Sequence, residues 1–278
     1  VSRTGVTVVL SGGGAKAAAH IGAARALEEA GFTPVRYVAT SMGAVVAAAL
    51  AGGADREALL ERLALIGRAG VVKDPLAAVT GLFARSLLRT APFRRAVAQL
   101  VPAGRFADLA VPVTVSVVDL DSGELLLFGE GGDDAPLLDV LCASCALPVY
   151  FPPVQLAGRR CGDGGLRGAL PLAVAAGLAR EPVVAVDVGP GFDGERAGTS
   201  VAAPPLVRAH DDALGVLMAA ATAAQLALWR ADIGRPPLIY VRPRIERGAT
   251  FRVDLVRQYA EVGYRATRST LADAGVWP

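Results

Sequence analysis

Val6-Thr7-Val8-Val9-Leu10-Ser11-Gly12-Gly13-Gly14-Ala15-Lys16 runs from a short apolar stretch into consecutive glycines, and Val35-Arg36-Tyr37-Val38-Ala39-Thr40-Ser41-Met42-Gly43 repeats the plan with a serine at the bend. Residues 6–10 and 35–39 read as buried strands, being short, β-branched and free of charge on one face. Each is followed by a helical pattern, over 15–30 with Ile21, Ala24 and Leu27 on one face, and over 42–50 directly after Ser41. Gly31 supplies the stop of the first helix. Strand, turn, helix repeated twice predicts a parallel sheet covered by helices.

Outward from this pair, residues 55–107 read as mainly helical, interrupted by Pro75, Pro92 and Pro102. Residues 111–120 and 124–128 flank Asp121-Ser122-Gly123 as a hairpin, and 154–156 with 159–161 flank Ala157-Gly158 as another. A helix is expected over 136–146, strands over 183–187 and 238–241, and long helices over 206–231 and 253–272. Residues 189–205, rich in Gly and Pro, read as a mobile loop. No internal repeat is present, and one domain over 1–278 is expected.

Composition narrows the function classes. The 53% apolar content and a mean hydropathy of +0.44 supply ample core. With 28 basic against 26 acidic residues, the charge is nearly balanced, which disfavours nucleic acid as a partner. The apolar run at 216–229 reads as interrupted by Gln225, so no stretch reaches the roughly 18–20 residues of a membrane-spanning helix. No secretory leader is expected before the first strand, and three cysteines do not suggest a disulfide framework, so a cytoplasmic setting is expected.

Three constellations carry chemistry. Ala39-Thr40-Ser41-Met42-Gly43 places a serine on a strand-to-helix turn and matches G-x-S-x-G with one substitution, Ala39. The helix that follows brings its positive end to the hydroxyl. Taken alone, a helix-capping serine is the commoner reading. Gly12-Gly13-Gly14 can turn its amides outward as a nest for an anion or a developing oxyanion. It also fits a dinucleotide fingerprint through Ala17, but no acidic residue closes the second strand. Gly162-Asp163-Gly164-Gly165 sets a carboxylate in a tight turn. The two histidines, His20 and His210, sit in contexts that suggest packing and a solvated helix face.

Together these blocks resemble the patatin-like phospholipases. The likeness rests on Ser11 to Lys16 followed by Ala19-His20-Ile21-Gly22, on Thr40-Ser41-Met42-Gly43, and on Ala143-Ser144-Cys145-Ala146-Leu147-Pro148 with Phe151-Pro152-Pro153-Val154 leading to Asp163-Gly164-Gly165. Residues 259–268 resemble the family's C-terminal helix. The resemblance implies a three-layer α/β/α sandwich with a mostly parallel central sheet and a Ser–Asp dyad without histidine. Ser41 is then the nucleophile, Asp163 the base, Gly12, Gly13 and Gly14 the oxyanion hole, with Lys16 and Gly43 in support. It implies a lipid or acyl-ester substrate, no cofactor and no metal. Ala17, Ala39 and Gly168-Ala169 depart from the family pattern. They leave room for one rival, a weakened enzyme that mainly binds acyl lipids; the dinucleotide fingerprint leaves a second, a Rossmann-type nucleotide-binding module.

Two lesser signals remain. Arg85, Arg89, Arg94, Arg95 and Arg105 fall in a stretch without acidic residues, with Arg85 and Arg89 spaced for one helix face. This pattern fits a solvated basic face, or a lid that makes peripheral contact with a membrane surface. Cys142-x-x-Cys145 lacks the second ligand pair of a zinc site and reads as a small apolar helix face.

Overall fold

The computed structural model of the chain describes residues 3–70, 86–191, 204–246 and 250–277. The regular elements, in order, are β1 (Thr4–Leu10), α1 (Ala18–Glu29), β2 (Phe32–Thr40), α2 (Ser41–Ala51), α3 (Arg56–Gly70), α4 (Thr90–Leu100), β3 (Val113–Asp119), β4 (Leu125–Gly129), α5 (Leu137–Ser144), β5 (Val154–Leu156), β6 (Arg159–Asp163), α6 (Leu172–Leu178), β7 (Val183–Val186), α7 (Pro205–Ala231), β8 (Leu238–Val241) and α8 (Val256–Asp273). The strands form one mixed sheet in the order β5-β6-β3-β2-β1-β7-β8, with β4 paired to β3. The five strands from β3 to β8 run parallel, while β4 and β6 lie antiparallel to β3.

Strand alternation divides the core in two. Val8, Leu10, Tyr37, Ala39, Val115 and Val186 point into the larger cluster, which α1, α2, α5 and α8 complete. Val9, Val38, Val183 and Ala185 point the other way, where Leu172 and Ala175 of α6 and Trp229 of α7 cover them. Helices on both faces of a mostly parallel sheet make the three-layer sandwich expected from the sequence.

Both hairpins occur. The β5–β6 turn places Ala157 at φ 50° and Gly158 at φ 75°, the left-handed pair that a two-residue turn needs to match strand twist. Pro92, read as a break, is the third residue of α4, in the first turn, where no intrahelical N–H bond is lost. Helix α6 has no counterpart in the sequence reading, because its seven residues are too few for a legible period. Pro75 and Arg85, and with them most of the lid reading, lie outside the described residues, as does most of the expected loop at 189–205.

Helix α7 corrects the expectation that Gln225 divides its apolar run. The Gln225 amide turns inward, where its Oε1 accepts from Ala173 N–H at 2.9 Å and its Nε2 donates to Arg167 O at 3.1 Å. The outer surface therefore stays apolar past it, with Val216, Leu217 and Leu228 exposed. An 18-residue window of this helix has a mean hydropathy of 1.4 and is 11% buried, so α7 is long and apolar enough to cross a membrane by length and composition alone.

Helices α1 and α8 meet through small residues. A Cβ on Gly263 would fall inside the van der Waals shell of the Ala19 carbonyl, and one on Gly22 inside that of Ala260. Gly263→Ala should lower unfolding stability by about 1–3 kcal/mol through forced separation of the two helices, read as a lower denaturant midpoint at unchanged slope. A midpoint equal to wild type would show that the pair has room to spare.

Candidate active site

The site forms where two strands share one edge of β3. Strand β2 pairs in parallel with Val113 to Ser116 of β3, ending at Thr40 opposite Ser116. Strand β6 pairs antiparallel with Val117 to Asp119, ending at Asp163 opposite Val117. Strand β4 pairs with β3 residues that belong to both these segments, so it must occupy the other edge. Thr40 and Asp163 therefore arrive end to end, at adjacent positions of one template strand. The residue after Thr40 is Ser41.

Ser41 turns sharply out of the sheet, with φ 53°. A non-glycine residue in this left-handed region carries strain of about 1–3 kcal/mol and persists only where its surroundings hold it. Its Oγ donates to Asp163 Oδ2 at 2.8 Å, across 122 positions of sequence. The other carboxylate oxygen, Oδ1, accepts from Gly165 N–H at 2.7 Å, and Asp163 N–H donates to Ala146 O at 3.1 Å. Ser41 is 9% exposed and Asp163 3%, so the hydroxyl is the more accessible member of the pair. Burial pushes the Asp163 carboxyl up from 3.8 to about 6, against the smaller opposing pull of the Gly165 amide and the Ser41 hydroxyl.

Two glycines allow the close approach. A Cβ on Gly43 would overlap the Ser11 carbonyl, so α2 could not begin so near the end of β1. A Cβ on Gly12 would lie 3.0 Å from Ser41 Cβ. The three expected oxyanion-hole glycines are not equivalent, however. Gly12 N–H already donates to Ala169 O at 2.9 Å, whereas the amides of Gly13 and Gly14 have no backbone acceptor among the described residues. Gly14 lies at φ 59° and is backed by Thr250, whose carbonyl accepts from Ala15 N–H at 2.8 Å.

Lys16 is buried behind the glycine turn, and its Nζ donates to Gly189 O at 3.4 Å. Burial first, then the nearby Arg242, lowers its pKa to about 8. Arg242 donates to the same carbonyl at 3.2 Å and pairs with Asp187 at 3.0 Å. The two cations thus share the Gly189 carbonyl and tie the loop after β7 to the segment that follows the glycine turn.

The histidines are engaged elsewhere. His20 is fully buried, and because Ser11 O can only accept, the 2.8 Å contact fixes the proton on Nε2. Its Nδ1 has no hydrogen-bond partner among the described residues, and the side chain lines one cavity with Val8, Leu10 and Leu27. Burial lowers its pKa to about 4. His210 pairs with Asp211 at 3.2 Å, and Asp211 accepts from Tyr150 OH at 2.5 Å. Cys142, Cys145 and Cys161 are free and buried. Burial holds the Cys145 thiol well above its ordinary pKa, so it stays protonated and is not a competing nucleophile. Among the described residues no group of three His, Cys, Asp or Glu could hold a metal ion.

Sequence reasoning passed over one side chain at this site. Ser144, at the end of α5, accepts from Ser41 N–H at 2.8 Å and is fully buried. Its signal was a lone hydroxyl in the otherwise apolar run from Leu141 to Leu147.

The patatin-like phospholipase family model matches residues 8–176. Proteins described as NTE family, from Mycobacterium bovis and Mycobacterium tuberculosis, are 33% identical over 206 residues, which is 74% of this chain and 54% of theirs. The chain therefore spans about half the length of these curated relatives. Human patatin-like phospholipase domain-containing protein 6 is 29% identical over 192 residues, covering 66% of this chain and 13% of that protein. Among solved structures, VipD from Legionella pneumophila is similar with a TM-score of 0.50 at 19% identity, over 98% of this chain and 67% of that one, a likeness of fold alone. With the family match spanning β1 to α6, and with it both Ser41 and Asp163, the chain belongs to the patatin-like phospholipase family.

Proposed function

We propose that the chain is a serine-dependent lipid acyl hydrolase, acting on phospholipid, lysophospholipid or simpler carboxylic esters through a Ser41–Asp163 dyad. The observation that carries this reading is the 2.8 Å hydrogen bond from Ser41 Oγ to a buried carboxylate that, among the described residues, no cation or histidine accompanies. Family membership supports the substrate class.

The mechanism follows from the proton inventory. Asp163 Oδ2 takes the Ser41 proton as Oγ attacks the ester carbonyl. A carboxylate is a weak base for an alcohol, so proton transfer must accompany attack rather than precede it. Burial helps by raising Asp163 to about 6, nearer to the operating pH than an ordinary aspartate. The positive end of α2 and the free amides of Gly13 and Gly14 stabilise the oxyanion, while Gly12 contributes the space beside Ser41. Protonated Asp163 then returns its proton to the leaving alcohol. Water, deprotonated by the same carboxylate, releases the acyl group from Ser41.

The rival reading of an acyl-lipid binder with little turnover draws on Ala17, Ala39 and Gly168-Ala169, of which the first two can be placed against the bend. Both methyls are fully buried in the main core, and Ala39 sits in regular ladder register between Leu10 and Val115. They therefore add no strain at the bend. The nucleotide reading lacks its acid, since β2 ends in a buried Thr40.

Ser41→Ala and Asp163→Asn should each reduce p-nitrophenyl ester hydrolysis roughly 10³-fold or more, and Ser41→Ala should abolish labelling by a fluorophosphonate. Labelling that persists in Ser41→Ala would remove that serine from the reaction. In wild type, kcat/KM should rise with pH through a midpoint of about 6, because the base works only when ionised. A limb near pH 4 would place the base elsewhere.

Stability carries a second signature. Between 3.8 and about 6 the folded chain keeps a proton on Asp163 that the unfolded chain has released, so stability falls as pH rises there. His20 acts oppositely, since its pKa is lowered from 6.5 to about 4 and the unfolded chain binds the extra proton. Asp163→Asn removes the first slope and leaves the second. The Tm of that variant should climb more steeply than that of wild type between pH 4 and 6.5, and parallel curves would contradict the buried, protonated carboxyl.

A further inference from the structure

The last rung of the β2–β3 ladder is not closed directly. Tyr37 N–H donates to Pro112 O at 2.9 Å, with Tyr37 opposite Val113. In a parallel ladder the donors on one strand recur at every second residue. The regular rungs are therefore Tyr37 to Pro112, Ala39 to Thr114, and Ser41 to Ser116. At the third, the hydroxyl of Ser144 stands between the two groups. Its oxygen accepts from Ser41 N–H at 2.8 Å, and its proton goes to Ser116 O at 2.8 Å. Both of these backbone groups are satisfied through one oxygen that belongs to α5, and Ser144 itself is 0% exposed.

That insertion has a geometric consequence. A direct rung would draw Ser41 into line as one more strand residue, with its side chain set by the pleat. Ser41 instead leaves the sheet at φ 53° and begins α2, which turns Oγ toward the end of β6. The same short segment steadies the other partner, since Ala146 O, two residues on, accepts from Asp163 N–H at 3.1 Å. One hydroxyl and one carbonyl from adjoining turns of chain thus hold both members of the pair.

We propose that Ser144 is a positioning residue for hydrolysis: its hydroxyl, inserted between Ser41 N–H and Ser116 O, holds the nucleophile out of the strand and in line with Asp163. The proposal rests on the reading of Ser41 as nucleophile. Ser144 does not touch the ester. Without its oxygen, either Ser41 N–H is left buried without a partner, or the rung closes onto Ser116 O and pulls Ser41 back toward the ladder. Either outcome displaces Oγ, and misplacement by about 1 Å can cost 10²-fold in rate.

The test compares Ser144→Ala and Ser144→Cys with wild type and Ser41→Ala on a soluble p-nitrophenyl ester. Ser144→Cys keeps the side-chain shape, leaving no cavity and slightly enlarging the group, but replaces a good acceptor with a poor one. Both Ser144 variants should lose about 10- to 100-fold in kcat with KM within about 2-fold, and fluorophosphonate labelling of Ser41 should slow in parallel. Ser144→Cys should lose less Tm than Ser144→Ala for a similar loss in kcat, which separates the hydrogen bond from packing. A kcat within about 2-fold of wild type in either folded variant overturns the proposal. So does a loss carried mainly by KM, or failure of both variants to fold, which would make the role structural. Activity retained in Ser41→Ala would instead refute the nucleophile assignment, whatever the Ser144 variants do.

Discussion

One edge of β3 has to serve two masters. Its first half is claimed by β2, running parallel, and its second half by β6, running antiparallel, with Thr40 and Asp163 meeting over Ser116 and Val117. Hydrogen-bond register is stiff, because a slip of one residue would invert every buried side chain on a strand. The template therefore converts a separation of 122 positions into hydrogen-bonding distance. The glycines of the first turn, the bend at Ser41 and the length of the β5–β6 hairpin all have to fit that meeting point.

Electrostatics at the meeting point follow from what surrounds it. The groups that hold Asp163 are an amide and a hydroxyl, so burial dominates and its carboxyl stays harder to ionise than a surface aspartate. The cations of the neighbourhood, Lys16 and Arg242, are drawn instead to the Gly189 carbonyl. His20, in the first turn of the first helix, donates its proton to the Ser11 carbonyl, and its other nitrogen has no partner among the described residues. Ser41 therefore meets a carboxylate, not an imidazole, because His20 is anchored on the Ser11 carbonyl.

Much of this was legible in advance. The two strand-turn-helix units and both hairpins could be read from alternation and turn residues, whereas the pairing of Ser41 with Asp163 was implied only by the resemblance to the patatin-like family. The failures share a cause. Pro92 was taken for a break because a proline's effect depends on its position in the first turn, which composition does not mark. Gln225 was taken for an interruption because its polarity is visible in sequence, while its inward bonds to Ala173 and Arg167 are not. Gly12 looked like a donor equal to its neighbours until Ala169, far along the chain, proved to occupy its amide.

Local chemistry in the sequence determined the strands, the bends and the residue types that a Ser–Asp site requires, since hydrophobic period and glycine placement act over a few residues. The choice among chemically similar groups was made by tertiary structure alone: which amides stay free, which histidine nitrogen carries the proton, and that Ser144 enters the Ser41–Ser116 rung. Each depends on a partner more than a hundred residues away, or on one brought in from a different element, and a hydrogen bond across such a distance leaves no period or spacing in the chain to be read.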